Sequence, residues 1–270
     1  MCTVVFLLRP GHPWPLLLAA NRDEMADRPW LPPGRHWPDR ADVTAGKDVL
    51  AGGTWFGLND AGVVAGVLNR INTLGPAPGL RSRGELPLEA LDHADARSAA
   101  EALAALDPDA YRPFNLFVAD AREAYWIRAT HAEGGVAGHG RLDVFPIPAG
   151  CSMLTAYDLN DTGSPRIGRH LPRFRHAAVP DPERDDWSGW TALMADQSHD
   201  PAVGPGGAMT VVTETGFGTV SSTLLALPGV GRWGVKPVWR FAAGRPSEAP
   251  YRPVSGAREA PGHSAQPAPS

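Results

Sequence analysis

Short stretches of apolar, β-branched and aromatic residues recur along the chain, separated by turns such as GLNDAG and VADARE. Runs of about four to eight such residues between turn signals are typical of β-strands. The short spacing of the runs predicts antiparallel pairing. The expected strands are Thr3–Leu8, Pro15–Ala20, Thr54–Leu58, Val63–Asn69, Asn115–Ala119, Ala124–Arg128, Met153–Tyr157, Met209–Val212 and Val220–Leu227.

Helix signals are fewer than strand signals. Capping residues, a first-turn proline and one-sided apolar patterns mark them. The expected helices are Gly84–Ala94, Ala99–Leu106, Pro165–Arg169 and Trp190–Gln197, with Ser98, Ser164 and Ser188 as N-caps of the last three. Strands interleaved with a few helices predict an α+β domain of layered sheets.

The amino-acid composition supports one folded unit with a tail. With 270 residues, 43% of them hydrophobic, the chain can bury a sizeable core. We expect a single domain over residues 1–242. Residues 243–270 are rich in Pro, Ser, Ala and Gly, and such a segment buries too little apolar surface to offset its ordering entropy. We therefore expect this tail to be disordered.

The charge and the cysteine content of the chain argue against several classes of protein. The net charge is −4 and no basic block occurs, so a nucleic-acid partner is not expected. Two cysteines predict a reducing compartment rather than a disulfide scaffold. The apolar N-terminus lacks a basic region and is interrupted by prolines, and no run is long enough to span a bilayer. We expect a cytoplasmic protein without a metal site, because the histidines are scattered.

The first candidate for chemistry is Cys2. Methionine aminopeptidases remove Met1 when the next side chain is small, which would leave a thiol and a free α-amine on one residue. The amine has a pKa of roughly 7.7–8.0, so it can be neutral near pH 7 and act as the general base for the thiol. The alternative interpretation is that cysteine is at position 2 by chance.

A polar cluster, NRDE, follows the second apolar run. If the first two predicted strands form a hairpin with Leu8 opposite Leu16, residue 2 lies opposite residue 22. Arg22 would then lower the thiol pKa or hold a substrate carbonyl or carboxylate, and an acid would orient the α-amine. The alternative is that NRDE is a solvated turn. The residues brought beside Cys2 are Asn21, Arg22, Asp23 and Glu24.

A second candidate segment, AGGTWFGLNDAGVVAGVLNRIN, is a strand, a tight turn and a strand that ends at Asn69. Gly52 and Gly53 allow close approach of the backbone. The Asn69 amide is a suitable donor to a developing oxyanion. An equally weighted alternative is that Asn69 caps a turn.

Together the segments MCTVVF, ANRDE, GGTWFGLNDAGVVAGVLN, SRGELPLEAL, YRPFNLFVAD and FGTVSSTLL resemble the NRDE family, also called the transport and Golgi organisation family. The resemblance implies a four-layer αββα sandwich like that of N-terminal-nucleophile (Ntn) hydrolases. The first segments are also similar to those of the cysteine Ntn amidases that cleave bile-salt conjugates and penicillin V.

This resemblance implies a cysteine hydrolase that cleaves a non-peptide C–N amide after removal of Met1, with no cofactor. Cys2 would be the nucleophile and Asn69 an oxyanion donor. Arg22 and Asp23 would orient the reacting groups. The expected substrate-binding residues are Asn21, Glu24, Thr54 and Trp55.

The alternative is a non-enzymatic protein that handles haem or another hydrophobic ligand, because members of the family are linked to haem trafficking. Two departures favour it, one from the amidases and one from the family. The segment LTAYD has no counterpart of their second oxyanion asparagine, and Val220 replaces the arginine that usually follows GT in the family.

Overall fold

The computed structural model describes residues 2–131 and 140–255. The strands are β1 Thr3–Leu8, β2 Leu16–Met25, β3 Trp30–Gly34, β4 Val43–Asp48, β5 Phe56–Asn59, β6 Val64–Asn69, β7 Phe114–Ala119, β8 Ala124–Thr130, β9 Arg141–Pro146, β10 Gly150–Leu154, β11 Phe217–Leu227, β12 Val238–Ala242 and β13 Arg252–Pro253. The α-helices are α1 Leu86–Leu91, α2 Ala96–Leu103, α3 Pro165–His176 and α4 Ser188–Met194.

The strands form two antiparallel sheets that pack face to face. One sheet has the order β10-β1-β2-β11-β12-β13, and the other runs in chain order from β3 to β9. Apolar residues of both sheets, such as Phe6 and Phe117, form the middle core. Helices α1 and α2 pack against the outer face of the second sheet, and α3 and α4 against that of the first. These layers confirm the predicted α+β, αββα architecture.

The hairpin of β1 and β2 fixes the position of the polar cluster. Leu8 pairs with Leu16 and Thr3 pairs with Asn21, which is the register considered for this hairpin from the sequence. Strand β2 continues through NRDE to Met25, because β11 pairs with it on the other side, with Phe217 opposite Met25. NRDE is therefore part of a central strand, and the solvated-turn interpretation is wrong.

Several element predictions need correction. Residues 209–212 form no strand, only an isolated bridge between Val212 and Gly218. Asp95, not Ser98, caps α2, since its carboxylate accepts the Ser98 backbone N–H. Ser188 lies within α4 rather than capping it. The pattern also missed β3, β4, β9, β12 and β13, where prolines or mixed polarity obscure the strand signal.

The start of the expected disordered tail is wrong. Strand β13 pairs with β12, Phe241 opposite Arg252. Beside it, the Tyr251 hydroxyl hydrogen-bonds the Ser222 hydroxyl at 2.7 Å, and the ring packs against the helix-side core. Residues 256–270 of the predicted tail lie outside the described residues. Within the described ranges, no helix is long and apolar enough to cross a membrane.

Candidate active site

The two faces of β2 separate the polar cluster into two environments, because successive side chains of a strand point to opposite faces. Asn21 and Asp23 point towards the helices, whereas Arg22 and Glu24 point towards the second sheet. Asn21 Nδ2 donates to the carbonyls of Met194 and Met209, at 3.1 and 2.8 Å. The amide nitrogen of Asn21 is therefore occupied on the helix side, although the residue also lines a small recess beside Cys2.

Asp23 belongs to a buried network on the helix side. Its carboxylate accepts hydrogen bonds from Arg166 Nη1 at 3.0 Å and from the Thr219 hydroxyl at 2.6 Å. Arg166 Nη1 also donates to the Thr3 hydroxyl at 2.5 Å. The Asp23 side chain has no exposed surface, and burying such a group is costly unless a cation and hydrogen bonds pair with it, as Arg166 does here. This network holds the ends of β1, β2 and β11 against α3.

Cys2 directly precedes β1 and lines a large cavity between the two sheets. Its Sγ is 3.8 Å from the backbone carbonyl oxygen of Asp23. The cavity has a volume of about 680 Å³, and its lining includes all of the predicted site residues except Asn21. Burial raises the pKa of the Cys2 thiol, and the neighbouring Arg22 guanidinium opposes this rise. Without a base, the thiol therefore stays protonated at neutral pH.

Arg22 is almost completely buried at the cavity wall. Its guanidinium stacks on the Trp55 ring and lies 3.5 Å from Asp48 Oδ2 and 3.9 Å from Glu24 Oε2. Burial lowers its pKa, while the negative charges of a Cys2 thiolate, of Glu24 and of Asp48 raise it. Nη1 of Arg22 is buried and has no hydrogen-bond partner among the described residues. The arrangement places a cation with a spare donor beside the thiol.

The second sheet supplies the opposite wall. Asn69 ends β6 and lines the cavity, and its side chain makes no hydrogen bond with another described residue. The Thr54 hydroxyl is bonded to the backbone of Phe56, so this side chain is occupied locally. Gly53 approaches the backbone of Gly84 so closely that a Cβ on Gly53 would lie 2.4 Å from the Gly84 carbonyl. This contact fixes the backbone next to Arg83, which also lines the cavity.

Several lining residues were not identified from the sequence. Asp48 Oδ2 is 2.6 Å from Arg28 Nε, so it links Arg28 to Arg22 across the cavity wall. Arg81 and Arg112 line the cavity on the side of residues 70–85. Arg83 also lines this side of the cavity. The surplus of arginines in LRSRGE is the only local signal, and it does not indicate which way they point.

A family model described as Transport and Golgi organisation 2 matches residues 1–155. The Transport and Golgi organization 2 homolog of Mus musculus is 33% identical over 93 residues, which are 32% of this chain and 33% of that protein. The homolog of Bos taurus is 33% identical over 132 residues, 44% of this chain and 45% of that protein. The chain thus matches less than half the length of either relative.

Two solved structures share the fold. An N-acylethanolamine-hydrolyzing acid amidase ortholog of Caenorhabditis elegans superposes with a TM-score of 0.57 at 13% identity, covering 86% of this chain and 94% of that one. The R18L variant of the conjugated bile acid hydrolase of Clostridium perfringens gives a TM-score of 0.50 at 11% identity, covering 94% and 96%. At such identities the similarity shows the Ntn-hydrolase-like fold alone.

Proposed function

The chain belongs to the Transport and Golgi organisation 2 family, and we propose that it is a cysteine hydrolase that cleaves a non-peptide C–N amide after loss of Met1. The observation that carries the proposal is the placement of the Cys2 thiol on a cavity of about 680 Å³ that Arg22 and Asn69 also line. Cavities of several hundred Å³ accommodate small-molecule ligands.

The mechanism needs the freed α-amine because the Cys2 thiol is protonated near neutral pH. Burial raises the pKa of Cys2, so a general base is required to form the thiolate near pH 7. Among the described residues the cavity is lined by no histidine, and its carboxylates Glu24 and Asp48 are paired with arginines. The α-amine of Cys2, exposed by removal of Met1, is the base that remains.

The reaction then runs through a thioester. The neutral α-amine takes the thiol proton, Sγ forms a bond to the amide carbonyl carbon, and the carbonyl electron pair moves to oxygen. The Asn69 amide donates to this oxyanion. Collapse of this tetrahedral intermediate breaks the C–N bond, and the ammonium of Cys2 returns the proton to the departing amine. Water, deprotonated by the α-amine, attacks the thioester, which releases a carboxylic acid and restores the thiol.

The substrate has to occupy the large cavity. A second recess beside Cys2, lined by Val4, Leu68 and Phe117 among others, has a volume of only about 20 Å³. A recess of this size holds one water-sized group. It fits no more than a small apolar part of a ligand bound next to the thiol.

The chain's two cysteines provide a matched test. Wild type, Cys2→Ala and Cys151→Ala are assayed on a panel of acyl amides and acyl conjugates, with intact mass measured first. We expect Met1 to be absent, and turnover to be lost in Cys2→Ala but retained in Cys151→Ala. Retained Met1 in the purified protein, or equal turnover by Cys2→Ala, would overturn the proposal.

A second candidate is binding of haem or another hydrophobic ligand in the same cavity. The mixed lining favours it, since apolar side chains such as Trp55 and Leu80 lie among several arginines that could pair with ligand carboxylates. Titration with haem followed by visible spectroscopy tests it. Saturable one-to-one binding that weakens in Cys2→Ala supports this function, and an unchanged spectrum removes it.

A further inference from the structure

Two arginines at the cavity are held without a carboxylate. Arg83 Nη1 donates to the Thr73 hydroxyl and to the Pro113 carbonyl, both at 3.0 Å. Arg112 donates to the carbonyls of Leu74, at 2.8 Å, and Asn72, at 3.0 Å. Among the described residues neither guanidinium has an ion pair, whereas Arg22, Arg28 and Arg81, which line the same cavity, all do. Neutral acceptors orient these two cations but leave their charges unbalanced.

The two cations are close enough to repel one another. The pKa of Arg83 falls to about 10, first because the side chain is buried and next because of the positive charge of Arg112. The negative charges of a Cys2 thiolate and of Glu24 act in the opposite sense, so Arg83 interacts electrostatically with the thiolate form of Cys2 across the same cavity. A like-charge pair beside a partly desolvated cavity is stabilised when an anion binds between its members.

Arg22 provides an independent observation. Its side chain is only 5% exposed, and its Nη1 is a buried donor without a hydrogen-bond partner. A buried donor left unsatisfied costs about 1–3 kcal/mol, so a ligand that accepts from it gains affinity. The cavity therefore has positive charge on the side of Arg83 and Arg112 and a vacant donor beside Cys2.

We propose that Arg83 and Arg112 bind an anionic group of the ligand, a carboxylate, sulfonate or phosphate, and that the amide cleaved by Cys2 carries this anion on one of its two sides. The second part rests on the proposed function, whereas the anion site does not. Arginine presents planar paired donors that match the geometry of all three anions.

Alkylation of Cys2 tests the site without requiring turnover. Rates of Cys2 modification by anionic iodoacetate and neutral iodoacetamide are compared by peptide mass spectrometry in wild type, in the double variant R83Q/R112Q and in R97Q. Arg97 is exposed, pairs with Glu123 and does not line the cavity, so it is a matched charge control.

We expect the iodoacetate-to-iodoacetamide ratio to fall about tenfold in R83Q/R112Q, because a single cation at a separation of about 6 Å from an anion would contribute about threefold in water, and the variant removes two cations. R97Q leaves this rate ratio unchanged. R83K/R112K keeps both positive charges, so its rate ratio stays close to that of wild type. A merely structural role would slow both reagents together. An unchanged ratio in R83Q/R112Q overturns the anion site. Inorganic phosphate, acetate and methanesulfonate, added as competitors, distinguish the three anion classes.

A second experiment separates the anion site from the proposed hydrolase. N-Dodecanoylglycine and its neutral analogue N-dodecanoylglycinamide are offered to wild type for turnover and to Cys2→Ala for calorimetric binding. Tighter binding of N-dodecanoylglycine than of its neutral analogue supports the anion site. If wild type nevertheless releases no glycine, that result counts only against the proposed hydrolase. Equal binding and equal cleavage of both compounds would overturn the anion site while leaving the hydrolase intact.

Discussion

The guanidinium carbon of Arg22 lies 4.2 Å from the centre of the Trp55 ring. Arg22 belongs to β2 of the first sheet, and Trp55 leads into β5 of the second, so the contact joins the two sheets beside Cys2. Trp55 is itself fixed by an edge-to-face contact with Trp30 at 5.9 Å. Stacking of a partly desolvated arginine on tryptophan is worth about 1–2 kcal/mol, which holds the cation in one position at the cavity wall.

Arg22→Gln should slow the alkylation of Cys2 by iodoacetamide severalfold at pH 7. The guanidinium lowers the thiol pKa, so its loss reduces the thiolate fraction. The pH profile of alkylation should shift to higher pH in Arg22→Gln and lie between the two in Arg22→Lys, which keeps the charge but loses the planar stack. An unshifted profile for Arg22→Gln would show that the cation does not act on the thiol.

Asp23→Asn should lower the free energy of unfolding by about 3–5 kcal/mol, because it leaves the buried Arg166 charge without its carboxylate. Chemical denaturation followed by tryptophan fluorescence measures this loss. The matched control is Asp185→Asn, which removes an exposed pair with Arg240 and should cost no more than about 1 kcal/mol. Similar losses in the two variants would contradict the assigned importance of the buried pair.

Gly53→Ala and Gly84→Ala probe one contact from its two sides. A Cβ on Gly53 would lie 2.4 Å from the Gly84 backbone, whereas a Cβ on Gly84 would have its nearest neighbours at 3.4 Å. We expect Gly53→Ala to destabilise the fold by about 1–3 kcal/mol and Gly84→Ala to be nearly neutral. Thermal unfolding of both variants measures these stabilities. A larger loss of stability in Gly84→Ala than in Gly53→Ala would contradict this geometry.

Stability should fall as the pH drops from about 6.5 to about 4, owing to His170. Burial first, and the charges of Arg173 and Arg169 next, lower its pKa from 6.5 to about 4, with Asp196 opposing. The unfolded chain therefore binds a proton in this window that the folded chain does not, and the loss reaches about 3 kcal/mol at its acid end.

Urea unfolding of wild type and His170→Gln at pH 7, 5.5 and 4 measures this contribution. The slope of stability against pH in this window should be smaller in the variant. The pKa of Asp196 is lowered to about 2, so its own contribution is lost only below its ordinary value of 3.8. Equal slopes between pH 6.5 and 4 would show that His170 does not contribute.

The sequence by itself determined the hairpin that carries the candidate nucleophile. Thr3–Leu8 and Leu16–Ala20 are continuous apolar runs, which is typical of strands buried on both faces, and a hairpin closed with Leu8 opposite Leu16 has the register that the structure shows. That register places position 2 beside position 22. The start of α3 was also determined by local sequence. The Ser164 hydroxyl accepts a hydrogen bond from the Ile167 N–H, as the N-cap pattern predicts.

Only the tertiary structure decided what each polar residue of β2 contacts. Alternation puts Asp23 and Arg22 on opposite faces, but it does not reveal that one face meets Arg166 of α3 and the other meets Asp48 and Trp55. These partners are far apart in the chain, and ion pairs between distant segments leave no local pattern. The orientation of Arg83 depends likewise on hydrogen bonds to Thr73 and Pro113, which lie 10 and 30 residues away in the chain.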